Sequence, residues 1–316
     1  MPTRRGWASV AVVTLLLACA RGGRSPTPAV SPLTLKIVLT KAESFEGEPI
    51  YALFELRNVG SDTVRIPPFG VNAGWLTGVL HRADGSLVPG GRSMWVDYVC
   101  PKTCNGDPMA PGGARYQPLM VQELWGEQGP LPYEALYRRI DTGTYTLDVS
   151  FRLDGVAGST AVVASPVTLR VRPRWPAEDT VYQEFFRLAA VDIRAWTVAD
   201  LDRALAWVDR RLAADTGDPF ALKVLILSDV RTAVKRLAVD STVWTRILQL
   251  ARAIAMTQAA SPVGANAAAY VFGGRWPRNG DQRLALCVTL AGTIAGDVAC
   301  ARVAQSARME KSSPPR

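Results

Sequence analysis

Residues 141–153 read Asp-Thr-Gly-Thr-Tyr-Thr-Leu-Asp-Val-Ser-Phe-Arg-Leu, and this stretch decides the fold of the first half of the chain. From Tyr145 to Leu153, apolar side chains occupy every second position and polar side chains lie between them. Successive side chains of a strand point to opposite faces. The alternation therefore predicts a strand with one buried face and one solvent-exposed face.

The residues that lead into this strand, Asp141-x-Gly143-x-Tyr145, resemble the tyrosine corner of immunoglobulin-like β-sandwiches. In that corner a tyrosine hydroxyl hydrogen-bonds to the backbone a few residues upstream and fixes the start of a strand. Antibody domains have a cysteine two residues after the tyrosine, where this chain has Leu147. The alternative interpretation is an ordinary turn before an ordinary strand.

Other segments show the same period of two. Alternation recurs over 33–40 and 50–56, a hairpin is predicted over 75–88, and a closing strand is predicted over 161–172. Turn residues separate these segments. We therefore expect residues 33–172 to form an antiparallel sandwich.

Two motifs near the start of this region, Gly47-Glu48-Pro49-Ile50 and Leu56-Arg57-Asn58-Val59-Gly60, resemble the opening of bacterial immunoglobulin-like domains. These include macroglobulin-type domains and the bacterial proteinase-inhibitor fold. Ala110-Pro111-Gly112-Gly113 and the tyrosine corner fit the later part of the same pattern. The resemblance covers residues 33–172 and implies the sandwich fold, and it carries no inhibitory loop over to this chain.

After Arg172 the apolar period changes from two to about 3.6 residues, which predicts helices. Thr197-Val-Ala-Asp200 resembles a capping box, and Asp218-Pro219 combines an N-cap with a proline at the first helical position. Short links between helices favour antiparallel hairpins. The predicted fold class is therefore multidomain β + α, with an all-α helical-hairpin domain over 173–305 and a disordered tail over 306–316.

The N-terminus predicts a lipoprotein signal peptide over 1–18. Arg4 and Arg5 precede an apolar run that is too short to span a bilayer and has the length of a signal sequence. The run ends in Leu16-Leu17-Ala18-Cys19, which resembles a bacterial lipobox and implies lipidation of Cys19. Residues 19–32, with three prolines, are then an extended tether. The alternative is an ordinary secretory signal that is cleaved elsewhere.

This leader predicts a lipid-anchored protein of the cell envelope. Ala20 follows the lipidated cysteine where a retention aspartate would stand, which favours the outer membrane, facing the periplasm or the cell surface. The membrane is thus one expected partner, reached through the anchor.

The four remaining cysteines are predicted to form two disulfides, because the envelope is an oxidising compartment. For Cys100 and Cys104, a metal site would need more ligands and a redox site would normally be Cys-x-x-Cys. Cys287 and Cys300 can pair only if the chain turns back between them. Gly292 and Gly296 flank the midpoint at Thr293 and Ile294, and Gly296-Asp297 is interpreted as a helix end followed by an N-cap. Two buried free thiols are the alternative for the second pair.

Residues 89–140 are predicted to be irregular and are rich in aromatic side chains. Such a segment forms either a recognition surface or a lid over the open end of the sandwich. Its aromatic residues after Pro89 are Trp95, Tyr98, Tyr116, Trp125, Tyr133 and Tyr137.

The charge of the chain, +8, falls to +6 once Arg4 and Arg5 leave with the signal peptide. The basic excess lies after residue 172 and is spread along predicted helices among acidic residues, without a dense Lys/Arg run. A nucleic-acid-binding protein needs a basic patch or stripe, so no nucleic-acid partner is expected.

The motifs of common enzyme classes are missing from the sequence. It has no Gly-x-Ser-x-Gly elbow, no P-loop, no dinucleotide glycine fingerprint and no His-Glu-x-x-His. His81, the single histidine, precedes a predicted hairpin turn and is interpreted as a half-exposed strand residue. We expect no catalytic residue, no cofactor and no metal.

The resulting expectation is a non-catalytic, lipid-anchored envelope protein that binds or scaffolds another envelope protein. A proteinase inhibitor or peptidase accessory protein is the second hypothesis and rests on fold analogy alone. An envelope hydrolase of unknown type is the third. An exposed loop within 89–140 would favour inhibition, and a cleft with clustered acids would favour catalysis.

Overall fold

The structure, a computed structural model, describes residues 31–67, 69, 75–88, 106–122, 140–153, 161–189, 196–235, 241–273, 280–301 and 303. Cys19, Cys100 and Cys104 lie outside these residues, as do the signal peptide, nearly all of the tether and the tail. From Ser31 onward the chain forms one compact unit of antiparallel sheets and helices, which is the mixed β + α class expected from the sequence. We call residues 33–172 the β half and residues 173–303 the helical half.

The strands of the β half follow the predicted alternation wherever it was clear. Their bounds are β1 (Leu33–Leu39), β2 (Glu43–Phe45), β3 (Tyr51–Asn58), β4 (Val64–Ile66), β5 (Leu76–Arg82), β6 (Asp107–Met109), β7 (Ala114–Met120), β8 (Gly143–Phe151), β9 (Val162–Val163) and β10 (Val167–Arg172).

These strands form two main sheets and a small ribbon. One sheet has the order β1-β3-β7, the other has the order β2-β10-β8-β5 with β9 beside β8, and β4 pairs with β6. All pairs are antiparallel except β2 with β10, which is parallel. Both main sheets contribute side chains to one cluster, which we call the inner core. Strand β8 supplies Tyr145, Leu147, Val149 and Phe151 to it.

The prediction of irregular structure over 89–140 is wrong for residues 106–122, which contain β6 and β7. Alternation was not visible in β7 because both of its faces are covered: Leu119 lies in the inner core, and Met120 packs against helices. Pro118 interrupts the pattern further, although a strand at the side of a sheet tolerates proline. Tyr116 is consequently a half-buried strand residue and not part of a loop.

Two helices of the helical half begin at N-caps that the sequence predicted. Thr197 and Asp200 form the expected capping box, and Asp218 accepts a hydrogen bond from the backbone N–H of Ala221 at 2.8 Å. The bounds are α1 (Pro176–Ala189), α2 (Val198–Ala214), α3 (Pro219–Lys235), α4 (Ser241–Thr257), α5 (Pro262–Gly273), α6 (Gly280–Thr289) and a last short helix, α7 (294–301).

Strand β3 is buried on both faces and joins the two halves. Its residues Ala52, Phe54 and Leu56 point into the inner core, whereas Tyr51 and Leu53 pack in a second cluster formed mainly by helices. Helix α5 reaches this face of the sheet with alanines that are fully buried. This second cluster, which we call the joint core, therefore contains side chains from both halves.

Two polar contacts fix the orientation of the helices on the sheet. The hydroxyl of Tyr51 donates a hydrogen bond to the carbonyl oxygen of Pro219, at the start of α3, over 3.2 Å. The buried side-chain amide of Asn266 on α5 donates to the Pro262 carbonyl oxygen of its own helix at 2.8 Å. It also reaches the carbonyl oxygens of Ala52 and Leu119 on the sheet at 3.4 and 3.5 Å. Buried polar groups need such partners, so these contacts favour one docking geometry over others.

Candidate interaction surface

The residues of the predicted tyrosine corner lie together at the start of β8. The hydroxyl of Tyr145 donates a hydrogen bond to the carbonyl oxygen of Asp141 at 2.8 Å, which is the contact expected of a corner tyrosine. Gly143 lies beside the ring, and a Cβ there would be 3.3 Å from the ring carbon Cε2. Burial raises the pKa of the Tyr145 hydroxyl, so it remains a neutral donor. These residues hold the start of β8 in place.

The motif Leu56-Arg57-Asn58-Val59-Gly60 also has a structural role. The fully buried amide of Asn58 donates to the carbonyl oxygens of Asp62 and Met109 at 2.8 and 3.0 Å. Its side-chain oxygen accepts from the backbone N–H of Gly60 at 3.0 Å. Asn58 thus satisfies three backbone groups at the end of β3, which explains the motif without a ligand.

Cys287 and Cys300 form a disulfide with their Cα atoms 4.9 Å apart. The chain turns back between them close to the predicted midpoint, but the interpretation of Gly296-Asp297 as a helix end followed by an N-cap is wrong. Helix α6 ends before Gly292, Thr293 is the N-cap of α7, and Gly296 lies within α7. The error arose because Gly296 was interpreted as a helix end, whereas its missing Cβ serves close packing inside a helix.

His81 lies on the edge strand β5 and is half-exposed, as predicted. Its Nε2 is 3.2 Å from the Asp148 carboxylate on β8, and its Nδ1 is 3.3 Å from the Gly85 carbonyl oxygen. Within the described ranges, no three His, Cys, Asp or Glu side chains lie close enough to share a metal ion. None of the described helices has both the length and the apolar content of a membrane span.

A group of paired charges lies where β10 runs into α1. Arg170, Arg172 and Arg174 occupy alternate positions, so their side chains share one face of the extended chain. Arg170 Nη1 is 3.2 Å from a Glu43 carboxylate oxygen, and both terminal nitrogens of Arg172 bind Glu178, at 2.5 and 2.7 Å. This bidentate pair raises the pKa of Arg172 and lowers the pKa of Glu178.

A buried carboxylate extends this group toward the sheet. Glu48 is 3% exposed; its Oε1 is 2.6 Å from Lys41 Nζ, and its Oε2 accepts from the backbone N–H of Phe45 at 3.1 Å. Burial raises the pKa of Glu48, and the interactions with Lys41 and the Phe45 N–H oppose that shift without cancelling it. The arginines and Lys41 are thus paired within the protein and do not form a basic patch.

Arg174 connects the turn after β2 to α1. Its Nε donates to Asp179 at 2.8 Å, its Nη1 donates to the Glu46 carbonyl oxygen at 3.1 Å, and its guanidinium lies 4.1 Å from the Tyr182 ring centre. A Cβ at Gly47 would overlap the Tyr182 ring, so only glycine permits this approach. Gly47 also has a φ of 85°, which favours glycine.

Trp175, just before α1, and two aromatic residues of α1 form a group that we call the α1 surface. It consists of Trp175, Tyr182 and Phe186, together with Arg172 and Arg174 stacked on the rings. Trp175 and Phe186 are exposed, whereas Tyr182 is partly buried against the joint core. Trp175 is 64% exposed and Phe186 is 46% exposed. The rings of Tyr182 and Phe186 stack with centres 6.0 Å apart, and Arg172 lies 3.9 Å from the Trp175 ring centre.

The sequence analysis did not identify the α1 surface. The sequence predicted the neighbouring stripe of the same helix, where Phe185 and Ala189 are buried and Val181 and Leu188 are partly buried. The signal was nevertheless present, because the exposed aromatics recur at helical spacing outside that apolar stripe. A comparison of the sequence with protein-family models and with curated proteins found no match.

Proposed function

We propose that this chain is a lipid-anchored protein of the cell envelope that acts without catalysis, by binding another envelope protein through the α1 surface. In this proposal Cys19 carries the lipid, residues 19–32 are the tether, and the β half is an immunoglobulin-like sandwich. The hydrogen bond from Tyr145 to Asp141 and the inner core shared by two sheets support the sandwich.

The observation that carries the binding proposal is the exposure of aromatic side chains on a rigid support. Large exposed aromatics beside arginine are the residue types that contribute most to protein–protein binding. Trp175 and Phe186 are exposed, while the arginines beside them are fixed by carboxylates of β2 and α1. Such pre-organisation lowers the entropy lost on binding.

The proposal is tested with the full-length protein, cross-linked in its own membranes and purified after solubilisation. The double variant Trp175→Ala, Phe186→Ala should lose a specific co-purifying envelope protein, and the affinity measured with that purified partner should fall about tenfold or more. An unchanged set of partners and an unchanged affinity would exclude the α1 surface.

Two control variants separate the parts of the proposal. Leu87→Ala removes an equally exposed apolar side chain from the β half and should leave the partner bound. Cys19→Ala should move the protein from the membrane fraction to the soluble fraction without changing the affinity of the purified protein. Membrane retention of Cys19→Ala would disprove the anchor and leave the binding result to be judged separately.

A further inference from the structure

Three turns between helices in the helical half have the same hydrogen bonds. In each turn, the backbone N–H of the N-cap residue donates to the carbonyl oxygen three residues earlier. The N-cap side chain then accepts from the backbone N–H three residues later. The N-caps are Asp218 between α2 and α3, Ser261 between α4 and α5, and Thr293 between α6 and α7.

The three hairpins are stacked through these turns. Gln258 of the second turn donates a hydrogen bond from Nε2 to the Thr216 hydroxyl of the first turn at 3.2 Å. The backbone N–H of Ala295, in the third hairpin, donates to the carbonyl oxygen of Ala259, in the second, at 2.9 Å. In such an array each repeat is stabilised mainly by its neighbours. The third hairpin hydrogen-bonds to one neighbouring hairpin, and its Asp297 also interacts with the Tyr116 hydroxyl on β7.

The second and third turns are also equally tight. A Cβ at Gly264 would overlap the Gln258 carbonyl oxygen, and a Cβ at Gly296 would overlap the Leu290 carbonyl oxygen. Both glycines occupy the third position of the second helix of their hairpin. The third hairpin is therefore a true repeat of the second and not an irregular tail.

The third hairpin differs from the first in what holds it together. The α2–α3 hairpin buries large side chains, including Trp207, Phe220 and Leu222. The described part of α6–α7 buries leucine, valine and alanine side chains but no aromatic ring, and it is closed by the disulfide between Cys287 and Cys300, 13 residues apart. Both cysteines are partly exposed, and Cys287 packs against the joint core.

We propose that the α6–α7 hairpin is a redox-controlled cap on the helical stack. A dithiol reductant attacks one sulfur of the disulfide as a thiolate and forms a mixed disulfide, and its second thiol then displaces the protein sulfur. The reductant leaves as a disulfide after giving up two electrons, and Cys287 and Cys300 become thiols. Without the crosslink the hairpin opens locally, breaks the contact between Ala295 and Ala259, and uncovers the end of the α4–α5 hairpin.

Hydrogen exchange measured by mass spectrometry on the intact protein, with and without dithiothreitol, tests the cap. Reduction should speed exchange of the amides over 284–301 on the order of a hundredfold, the factor expected from losing a loop closure of this length. Amides of β8 should keep their protection. Unchanged exchange in α6–α7, or an equal rise throughout the chain, would overturn the proposal.

The double variant Cys287→Ser, Cys300→Ser separates this disulfide from the other cysteines. Without reductant it should exchange over 284–301 as the reduced wild type does, and dithiothreitol should not change it further in that region. If the variant does not fold, thiol labelling of the reduced wild type decides: labelling at Cys287 and Cys300 with β8 still protected supports the cap. Resistance of both cysteines to dithiothreitol in the folded protein disproves it.

Discussion

The β half and the helical half differ in how their hydrophobic cores are composed. The inner core of the β half contains side chains of strands and of the loops between them, from Leu33 to Val171. The joint core contains helices together with Phe45, Tyr51, Leu53 and Met120 from the β half. The helical half therefore depends on the sheet for part of its interior, and we infer that the two halves unfold together.

The largest expected effect is at Phe220, which is 2% exposed and connects the halves. Its ring lies 5.8 Å from that of Phe45 on β2 and 5.0 Å from that of Phe185 on α1. Phe220→Ala should lower the free energy of unfolding by about 3–5 kcal/mol, because it removes a buried ring and leaves a cavity. Urea denaturation followed by circular dichroism measures the change.

A second substitution, in the inner core, tests whether the two halves respond in the same way. Phe151→Ala removes a fully buried ring from the β half, and it should shift the same single transition by a similar amount. If Phe220→Ala instead produces a separate helical transition and leaves the strands at their wild-type midpoint, the joint core does not couple the halves.

A smaller effect is expected at Tyr145, within the β half. Tyr145→Phe removes the hydrogen bond to the Asp141 carbonyl oxygen and should lower the free energy of unfolding by about 1 kcal/mol. Tyr182→Phe is the control, because the contacts of Tyr182 with Arg174, Phe185 and Phe186 are made by its ring. Equal stability of Tyr145→Phe and the wild type would contradict a corner role.

The smallest effect concerns Glu48, at the junction of the halves, and depends on pH. Burial raises the pKa of Glu48 in the folded protein, so the folded state binds its proton more tightly than the unfolded state does. The stabilisation that Glu48 contributes is present below the ordinary glutamate pKa. It is lost as pH rises through the pKa of Glu48 in the folded protein. The free energy of unfolding of the wild type minus that of Glu48→Gln should therefore be larger at about pH 4 than at about pH 7.

Urea midpoints of both proteins at the two pH values measure this difference. Glu178→Gln is the control, because Arg172 lowers the pKa of Glu178 and the stability from Glu178 should therefore be lost as pH falls. If the stability of the wild type relative to Glu48→Gln instead increases as pH rises, the ion pair with Lys41 outweighs burial in its effect on the pKa of Glu48.

The sequence predicted those parts of the fold in which a single face is buried. Alternation identified β1 and β8, and the caps at Thr197 and Asp218 located the starts of α2 and α3. It did not identify β7, since that strand has partners on both faces, or β2, since three residues are too few to show a period.

The stacked hairpins were not predicted either, for a different reason. Their N-caps, Asp218, Ser261 and Thr293, are three different residue types, and the intervals between them are unequal, so no fixed period exists in the sequence. The α1 surface was missed because exposed aromatics become visible only once the buried face of the helix is known.

The most direct test of whether the two halves unfold together is native-state hydrogen exchange of the wild type over a range of low urea concentrations. The most protected amides of β8 and of α3 should open with one free energy and one urea dependence, equal to those of global unfolding. If the amides of α3 exchange through a lower-energy opening while β8 stays protected, the helical half unfolds independently and the joint core does not unite the molecule.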